Sequence, residues 1–199
     1  DARGADKGVV GLDHFLFQHV KVRAVAVNDH GAAAERGDSL EEVTRIATKV
    51  NDQTRSMGLA LGPCTVPHAG KPSFDLGEDE IELGIGIHGE PGYRRGSMES
   101  ADALVAELYE RVREDLGLTE GESVVALVNG MGGTPISELY ICFRALAALL
   151  KKDGIEIARQ MVGNYVTSLE MPGVSVTLMR ADDELLELFD APVATVAWK

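Results

Sequence analysis

Glycine alternates with isoleucine just before a histidine in residues 84–92, which read Gly-Ile-Gly-Ile-His-Gly-Glu-Pro-Gly. In a β-strand alternate side chains share a face, so a strand over residues 81–87 would bury its apolar residues and turn Gly84, Gly86 and His88 the other way. Two missing Cβ atoms beside an imidazole would open a shallow slot for a small polar molecule. A neutral imidazole is a competent nucleophile near neutral pH, since its unperturbed pKa is about 6.5. The alternative is that the glycines mark a bulge and that His88 is merely hydrogen-bonded at a strand end.

A second glycine-rich segment follows a continuous apolar run, Ser123–Val128, of the kind found in strands buried on both faces. Thr134 is a suitable N-cap and Pro135 suits the first turn of a helix. Strand, glycine loop and helix N-terminus form an arrangement that can bind anions. The residues of this candidate phosphate loop are Gly130, Gly132, Gly133 and Thr134. A tight strand-to-helix connection that needs glycine for its backbone angles explains the segment equally well.

Four blocks of sequence occur in one order, namely residues 62–74, 84–92, 128–135 and 167–173. Together they resemble the dihydroxyacetone kinase family, and more narrowly the second half of its substrate-binding K domain, from about residue 31 to residue 199. The resemblance implies that His88 adds through a ring nitrogen to the carbonyl of dihydroxyacetone and forms a covalent hemiaminal. The substrate-binding residues expected around it are Gly84, Gly86, Gly89 and Glu90. Glu90 would orient the ring.

The resemblance also implies partners. In that family a separate L domain or subunit holds ATP with magnesium, and this chain has no P-loop sequence. We therefore expect no metal or cofactor on this chain, ATP or ADP with Mg on the partner, and a homodimer. The predicted function is to present dihydroxyacetone for phosphorylation to dihydroxyacetone phosphate. The alternative is a non-catalytic paralogue that binds the ketose as a sensor or transcriptional co-regulator.

In that family the first half of the K domain carries one segment with a second histidine and another with an aspartate, and these two residues act as acid and base. Neither segment is present in this sequence. We expect residues 1–30 to be a divergent or incompletely represented N-terminal stretch and residues 31–199 to be the C-terminal α/β half of a K domain, with the first half apparently absent. Such a half is expected to be inactive without the first half and a nucleotide-binding partner. His68 and Lys71 lie in a proline-braced loop, where a surface location is the simpler expectation.

Composition restricts the class of partner. The 199-residue chain is 45% hydrophobic, enough for a sizeable core, and its net charge of −13 disfavours binding to nucleic acid or an anionic membrane. Cys64 and Cys142 lie far apart without metal-ligand spacing, which indicates reduced core thiols and a cytoplasmic location. No apolar run approaches the length of about 18 residues expected of a transmembrane helix.

Helical and extended patterns alternate along the chain, which predicts an α/β fold with a mixed β-sheet flanked by helices, as in the second subdomain of the K domain. The predicted helices cover residues 40–57, 101–116, 135–152 and 182–189, the first capped by Ser39. The predicted extended segments cover residues 59–61, 81–87, 123–128, 155–169 and 174–179. The Pro-Gly turn at residues 171–173 predicts a hairpin between the last two.

Overall fold

A computed structural model describes residues 29–87 and 90–193, so His88 and Gly89 lie outside the described residues. Six strands form one sheet with helices on both faces. The helices are α1 (29–35), α2 (Leu40–Asp52), α3 (Ala101–Leu116), α4 (Ile136–Lys152) and α5 (Asp183–Phe189). The strands are β1 (Thr54–Ala60), β2 (Glu80–Leu83), β3 (Arg94–Ser97), β4 (Ser123–Gly130), β5 (Glu156–Gly163) and β6 (Gly173–Arg180).

The strand order is β3-β2-β1-β6-β4-β5. Strands β4 and β5 are parallel and α4 connects them, whereas every other neighbouring pair is antiparallel. The predicted mixed sheet flanked by helices is therefore confirmed. The predicted hairpin at residues 171–173 is wrong, because β4 separates β5 from β6. The central strand β6 is buried almost throughout, whereas β5 is partly exposed at the sheet edge.

The sheet has a separate apolar layer on each face. On one face α3 and α4 pack through a large cluster that includes Leu108, Leu146 and Val176. On the other face α2 and α5 pack against β4, β5 and β6 through a smaller cluster that includes Ile46 and Leu185. Within the sheet, the buried hydroxyls of Ser56 on β1 and Thr177 on β6 lie 2.7 Å apart. No helix among the described residues is long and apolar enough to span a bilayer.

Helix ends follow local sequence signals where the signals are strong. Helix α3 begins after Ser100, whose hydroxyl accepts from the Ala103 N–H, and ends at Gly117 in the left-handed region, as predicted. Helix α2 is capped by Ser39 as predicted, but it ends at Asp52 and not at residue 57. The reason is that residues 54–60 pair along their whole length with β6, and this pairing overrides the helical periodicity.

The predicted strand over residues 81–87 is too long. Strand β2 ends at Leu83 because Gly84 has a φ of 78°, which turns the chain out of the sheet. The alternation of faces expected to continue to His88 therefore stops at Leu83. Strand β3, which the sequence did not indicate, pairs with β2 and makes residues 84–93 the loop of a β-hairpin.

Candidate functional site

The Gly-Ile-His-Gly-Glu-Pro-Gly motif forms the loop of the β2–β3 hairpin. At its base the Tyr93 N–H donates to the Leu83 carbonyl at 2.9 Å. Further out, the Gly86 N–H donates to the Glu90 carbonyl, also at 2.9 Å, and closes a smaller turn. His88 stands in sequence between these two partners, although it lies outside the described residues. The described residues of the motif, 84–87 and 90–92, thus lie in the loop of this hairpin.

The space in front of the motif's glycines is filled by the protein itself. A Cβ on Gly84 would lie 2.7 Å from the Tyr93 ring, and a Cβ on Gly86 would overlap the Glu90 carboxylate. These two glycines therefore do not open the empty slot that strand geometry suggested. They let the loop fold back on itself, and the Glu90 side chain lies over Gly86.

A buried carboxylate that the sequence analysis passed over supports the loop from below. Glu82 is 6% exposed, and its Oε1 accepts from the Gly92 N–H at 2.7 Å. Its other oxygen lies 3.5 Å from the Arg95 guanidinium, on the neighbouring strand. Strand alternation had assigned Glu82 to an outer, open face. The usable signal was an acidic residue between the two core residues Ile81 and Leu83.

The outer side of the hairpin is tied to α3 by a second polar group. Tyr93 donates its hydroxyl to Glu107 at 2.5 Å, and Arg94 donates to the same carboxylate. The Arg111 guanidinium lies 4.3 Å from the centroid of the Tyr93 ring, in cation–π geometry. Burial opposes ionisation of Glu107, but the hydrogen bonds from Tyr93 and Arg94 outweigh it and lower the pKa of this carboxyl. Burial and the Glu107 hydrogen bond raise the pKa of Tyr93, so its hydroxyl stays protonated as a donor.

The four sequence blocks meet at one end of the sheet. Each contributes one buried side chain to a small apolar cluster that also includes Ala60 and is flanked by Phe74. We call this group the motif cluster; its block members are Cys64, Ile85, Met131 and Met171. Segments separated by up to about a hundred residues of sequence are therefore packed together directly beneath the hairpin loop.

Ser168, which belongs to the last block, makes polar contacts with all three of the other blocks. Its hydroxyl donates to the Ile87 carbonyl at 2.5 Å, one residue before His88. Its backbone N–H donates to the Met131 carbonyl at 2.9 Å, and its Oγ lies 3.8 Å from the Cys64 sulfur. In the sequence Ser168 lies within the block at residues 167–173, where no pattern assigns it a role. Only the three-dimensional contact with Ile87 distinguishes it.

The candidate phosphate loop is packed closely against residues 168–173. The Met131 N–H donates to the Gly173 carbonyl, and the Gly133 N–H donates to the Met171 carbonyl. A Cβ on Gly132 or Gly133 would overlap the backbone of residues 169–172. This geometry supports the alternative interpretation, in which glycine is needed for a close backbone crossing, and it leaves fewer N–H groups for an anion.

Thr134 has a different partner from the one predicted. It is buried, and its hydroxyl both donates to the Gly173 carbonyl and accepts from the Gly173 N–H, each at 2.8 Å. Helix α4 begins at Ile136 with Pro135 at the N-cap and no side-chain cap. The predicted N-cap role of Thr134 is therefore wrong, because the start of β6 takes the hydroxyl.

At the end of β4, just before Gly130, Asn129 fixes the loop that leads to Ser168. Its side-chain oxygen accepts from the N–H groups of Tyr165 and Val166, and its amide nitrogen donates to the Val166 carbonyl. A Cβ on Gly130 itself would overlap the Asn164 side chain.

The first block reaches the same end of the sheet through a short loop. The Thr65 N–H donates to the Glu170 carboxylate at 2.7 Å, and Thr65 forms an isolated bridge with Pro72. His68 and Lys71 are exposed near the tip of this loop, in agreement with the surface location expected for them. Both cysteines are buried and free, as predicted.

An apolar cavity of about 250 Å³ lies on the opposite face of the sheet, between the first turns of α3 and α4. Leu59, Leu104 and Val174 line its floor, and Met98 and Ile141 are exposed at its rim. It is separate from the motif cluster.

In residues 29–87 and 90–193, no three His, Cys, Asp or Glu side chains come together in a group that could hold a metal ion.

Comparison with known proteins agrees with the resemblance drawn from the motifs. The family described as Dak1 domain matches residues 21–197. The dihydroxyacetone-binding subunit DhaK of PTS-dependent dihydroxyacetone kinase 1 from Listeria innocua is 48% identical over 169 residues, which cover 84% of this chain and 51% of that protein. The chain thus spans about half the length of this relative.

Solved structures give the same grouping. The dihydroxyacetone kinase operon co-activator Dha-DhaQ superposes with a TM-score of 0.82 at 34% identity, over 87% of this chain and 54% of that chain. The dihydroxyacetone kinase of C. freundii superposes with a TM-score of 0.76 at 26% identity, over 89% of this chain and 32% of that chain.

Proposed function

Since this chain belongs to the Dak1 domain family, we propose that it binds dihydroxyacetone covalently through His88 and presents it for phosphorylation to dihydroxyacetone phosphate. The observation that carries the proposal is the motif cluster. Four separate sequence blocks each bury one side chain in it, and Ser168 from the last block holds the carbonyl of the residue before His88. Such packing provides a rigid base for a loop whose tip carries a reactive group.

The proposed chemical step is addition of an imidazole nitrogen to the ketone. The nitrogen lone pair forms a C–N bond to the carbonyl carbon, the C=O π electrons move to oxygen, and that oxygen takes up the proton that the ring releases. The product is a neutral hemiaminal, and no other reactant is consumed. Glycerol has no carbonyl to accept the lone pair, so covalent capture distinguishes it from the ketose.

The roles of the neighbouring residues are parts of the same proposal. Gly84, Gly86 and Gly89 are proposed to contribute to ketose binding through their backbone alone, because Tyr93 and Glu90 fill the space that side chains at Gly84 and Gly86 would take. Glu90 folds over Gly86 and orients the imidazole. A role of the 130–134 loop in holding a phosphate remains a prediction, which its occupied N–H groups weaken.

We propose further that a partner L domain or subunit holds ATP or ADP with Mg and delivers the phosphoryl group, which it takes from ATP or from a phosphotransferase relay. His88 would supply the positioning of the acceptor, on which phosphoryl transfer depends strongly. Because the chain spans about half of the DhaK relative, the acid–base residues of the family's first half are also required for turnover. The homodimer and the cytoplasmic location belong to this proposal, and the two free buried thiols support the latter.

Calorimetric titration with dihydroxyacetone and with glycerol tests the binding step. The wild-type chain should bind the ketose and not glycerol, and His88→Ala should lose ketose binding. His68→Ala, which changes an exposed histidine in a neighbouring loop, is the matched control and should bind as the wild type does. Equal affinity of the His88→Ala and wild-type chains for dihydroxyacetone would refute the covalent role.

The likeness to the operon co-activator favours one second candidate, a ketose sensor that does not take part in phosphoryl transfer. Both candidates bind dihydroxyacetone, so binding alone does not separate them. A protein comprising this chain and its first half, mixed with a nucleotide-binding L subunit, ATP and Mg, should form dihydroxyacetone phosphate if the kinase proposal holds. Binding of the ketose without product formation would favour the sensor.

A further inference from the structure

We propose that Ser168 and Glu82 are positioning residues that clamp the two ends of the His88 loop. The inference rests on the proposed function. Two side chains outside the loop would hold it in the position that His88 needs for addition to the ketone. Each makes a hydrogen bond to the loop backbone, one before His88 and one after it. Neither touches the reacting atoms under this proposal.

The first clamp is the hydroxyl of Ser168 on the Ile87 carbonyl. The bond is short, at 2.5 Å, and Ser168 is only 6% exposed. The backbone of Ser168 is itself fixed, because its N–H donates to Met131 in the motif cluster. The next residue, Leu169, has a φ of 55°, the only positive value outside glycine among the described residues. A strained backbone that persists next to this contact indicates that the surroundings determine its position.

The second clamp is the Glu82 carboxylate on the Gly92 N–H. Glu82 belongs to the rigid sheet, where it pairs with Ala60 on one side and Arg95 on the other. A hydrogen bond from an N–H to a charged acceptor is stronger than one between neutral groups. A Cβ on Gly92 would overlap the Leu83 carbonyl and crowd the Glu82 side chain, so glycine is what lets the backbone approach this carboxylate.

The two bonds constrain the loop in a way that the hairpin alone does not. The hydrogen bond from Tyr93 to Leu83 fixes only the base of the loop. The hydrogen bond from Gly86 to Glu90 fixes these two residues relative to each other but does not attach them to the rest of the protein. Ser168 and Glu82 tie positions 87 and 92 to the motif cluster and to β2. Addition to a carbonyl demands a defined approach of nitrogen to carbon, so a tilted loop would lose capture while the fold stayed intact.

The test uses Ser168→Ala and Glu82→Gln in the 199-residue chain. Each should weaken the affinity for dihydroxyacetone by about tenfold, as expected from the loss of one well-formed hydrogen bond or of its charge. Amide hydrogen exchange at Gly86 and Gly92 should accelerate by a similar factor, and the melting temperature should change little.

Two matched controls separate positioning from general destabilisation. Ser56→Ala removes an equally buried hydroxyl that bonds to Thr177 within the sheet. Glu80→Gln changes a carboxylate on the same strand that accepts from the Gly77 N–H. Neither contacts the loop, so both should retain wild-type affinity and wild-type exchange at Gly86 and Gly92.

The outcomes distinguish the two proposals. If His88→Ala loses capture while Ser168→Ala and Glu82→Gln bind as the wild type does, the clamp is refuted and the proposed function stands. If His88→Ala binds like the wild type, the proposed function fails, and unchanged exchange at Gly86 and Gly92 in both clamp variants then also refutes the clamp. Equal losses in the control variants would mean general destabilisation and would likewise overturn the inference.

Discussion

Gly132 shows at the scale of a single residue how closely the 130–134 loop is packed. It has a φ of 118°, and the Leu169 carbonyl oxygen occupies the place of its missing Cβ. Two separate effects therefore oppose any side chain here: the backbone angle, which L-residues avoid, and the overlap with a backbone atom that cannot rotate away.

We expect Gly132→Ala to lower the free energy of unfolding by more than about 3 kcal/mol, since both effects act together. Gly37→Ala is the control, because Gly37 has a φ of 89° with open space around it. It should cost only about 1–2 kcal/mol, from the backbone angle alone. Urea unfolding of both variants measures the difference, and equal losses would mean that the contact with Leu169 is not as close as described.

Asp29 is a second residue whose environment has a measurable effect, here on how the stability of the chain depends on pH. It is fully buried, and neither of its carboxylate oxygens has a hydrogen-bond partner among the described residues. Burial raises its pKa to about 7 from an ordinary value of 3.8. The folded state therefore binds a proton that the unfolded state releases above about pH 4, so stability is lost as pH rises from about 4 through 7.

Asp29→Asn should accordingly stabilise the chain at pH 8 relative to the wild type, by about 1–3 kcal/mol. At pH 4 the advantage should disappear, because the wild-type carboxyl is then neutral in the folded state. Denaturant unfolding at the two pH values gives the comparison. A stability difference that is the same at both would show that Asp29 is not the titrating group.

At the scale of elements, the strength of local signals decided which boundaries the sequence predicted. Helix α3 has a serine N-cap and a terminal glycine, and both of its ends were predicted correctly. The end of α2 depended on the pairing of residues 54–60 with the distant strand β6, and the end of β2 depended on the positive φ of Gly84; the sequence pattern revealed neither. Strand β3 is four residues long and contains two arginines, so it lacks the alternation of apolar and polar residues from which a strand is predicted.

Thr134 belongs to this scale because it joins the start of β6 to the loop that precedes α4. Thr134→Val should lower the free energy of unfolding by about 1–3 kcal/mol, since it leaves the Gly173 N–H without the hydroxyl acceptor and removes one of the two donors to the Gly173 carbonyl. Thr134→Ser keeps the hydroxyl and should recover most of that loss. Thermal unfolding of the pair tests the contact, and equal stability of the two variants would contradict it.

At the scale of the whole molecule, the sequence motifs predicted the family and the fold class, and the structure showed how the motifs meet. The reactive candidate and the four blocks were recognisable in sequence. The residues that hold them, Glu82 and Ser168, were not, because their roles arise from contacts between residues 10 and 81 positions apart in the sequence. The expected open slot beside Gly84 and Gly86 failed for the same reason, since Tyr93 and Glu90 fold into it.

Carbon-13 NMR with dihydroxyacetone labelled at the carbonyl is the most direct test of the central claim. The proposal predicts that mixing the ketose with this chain converts part of the carbonyl signal into that of a protein-bound tetrahedral carbon. The signal should be absent with His88→Ala and present with His68→Ala. A tetrahedral signal that survives in His88→Ala, or a wild-type chain that binds the ketose while its carbonyl stays trigonal, would contradict covalent capture by His88.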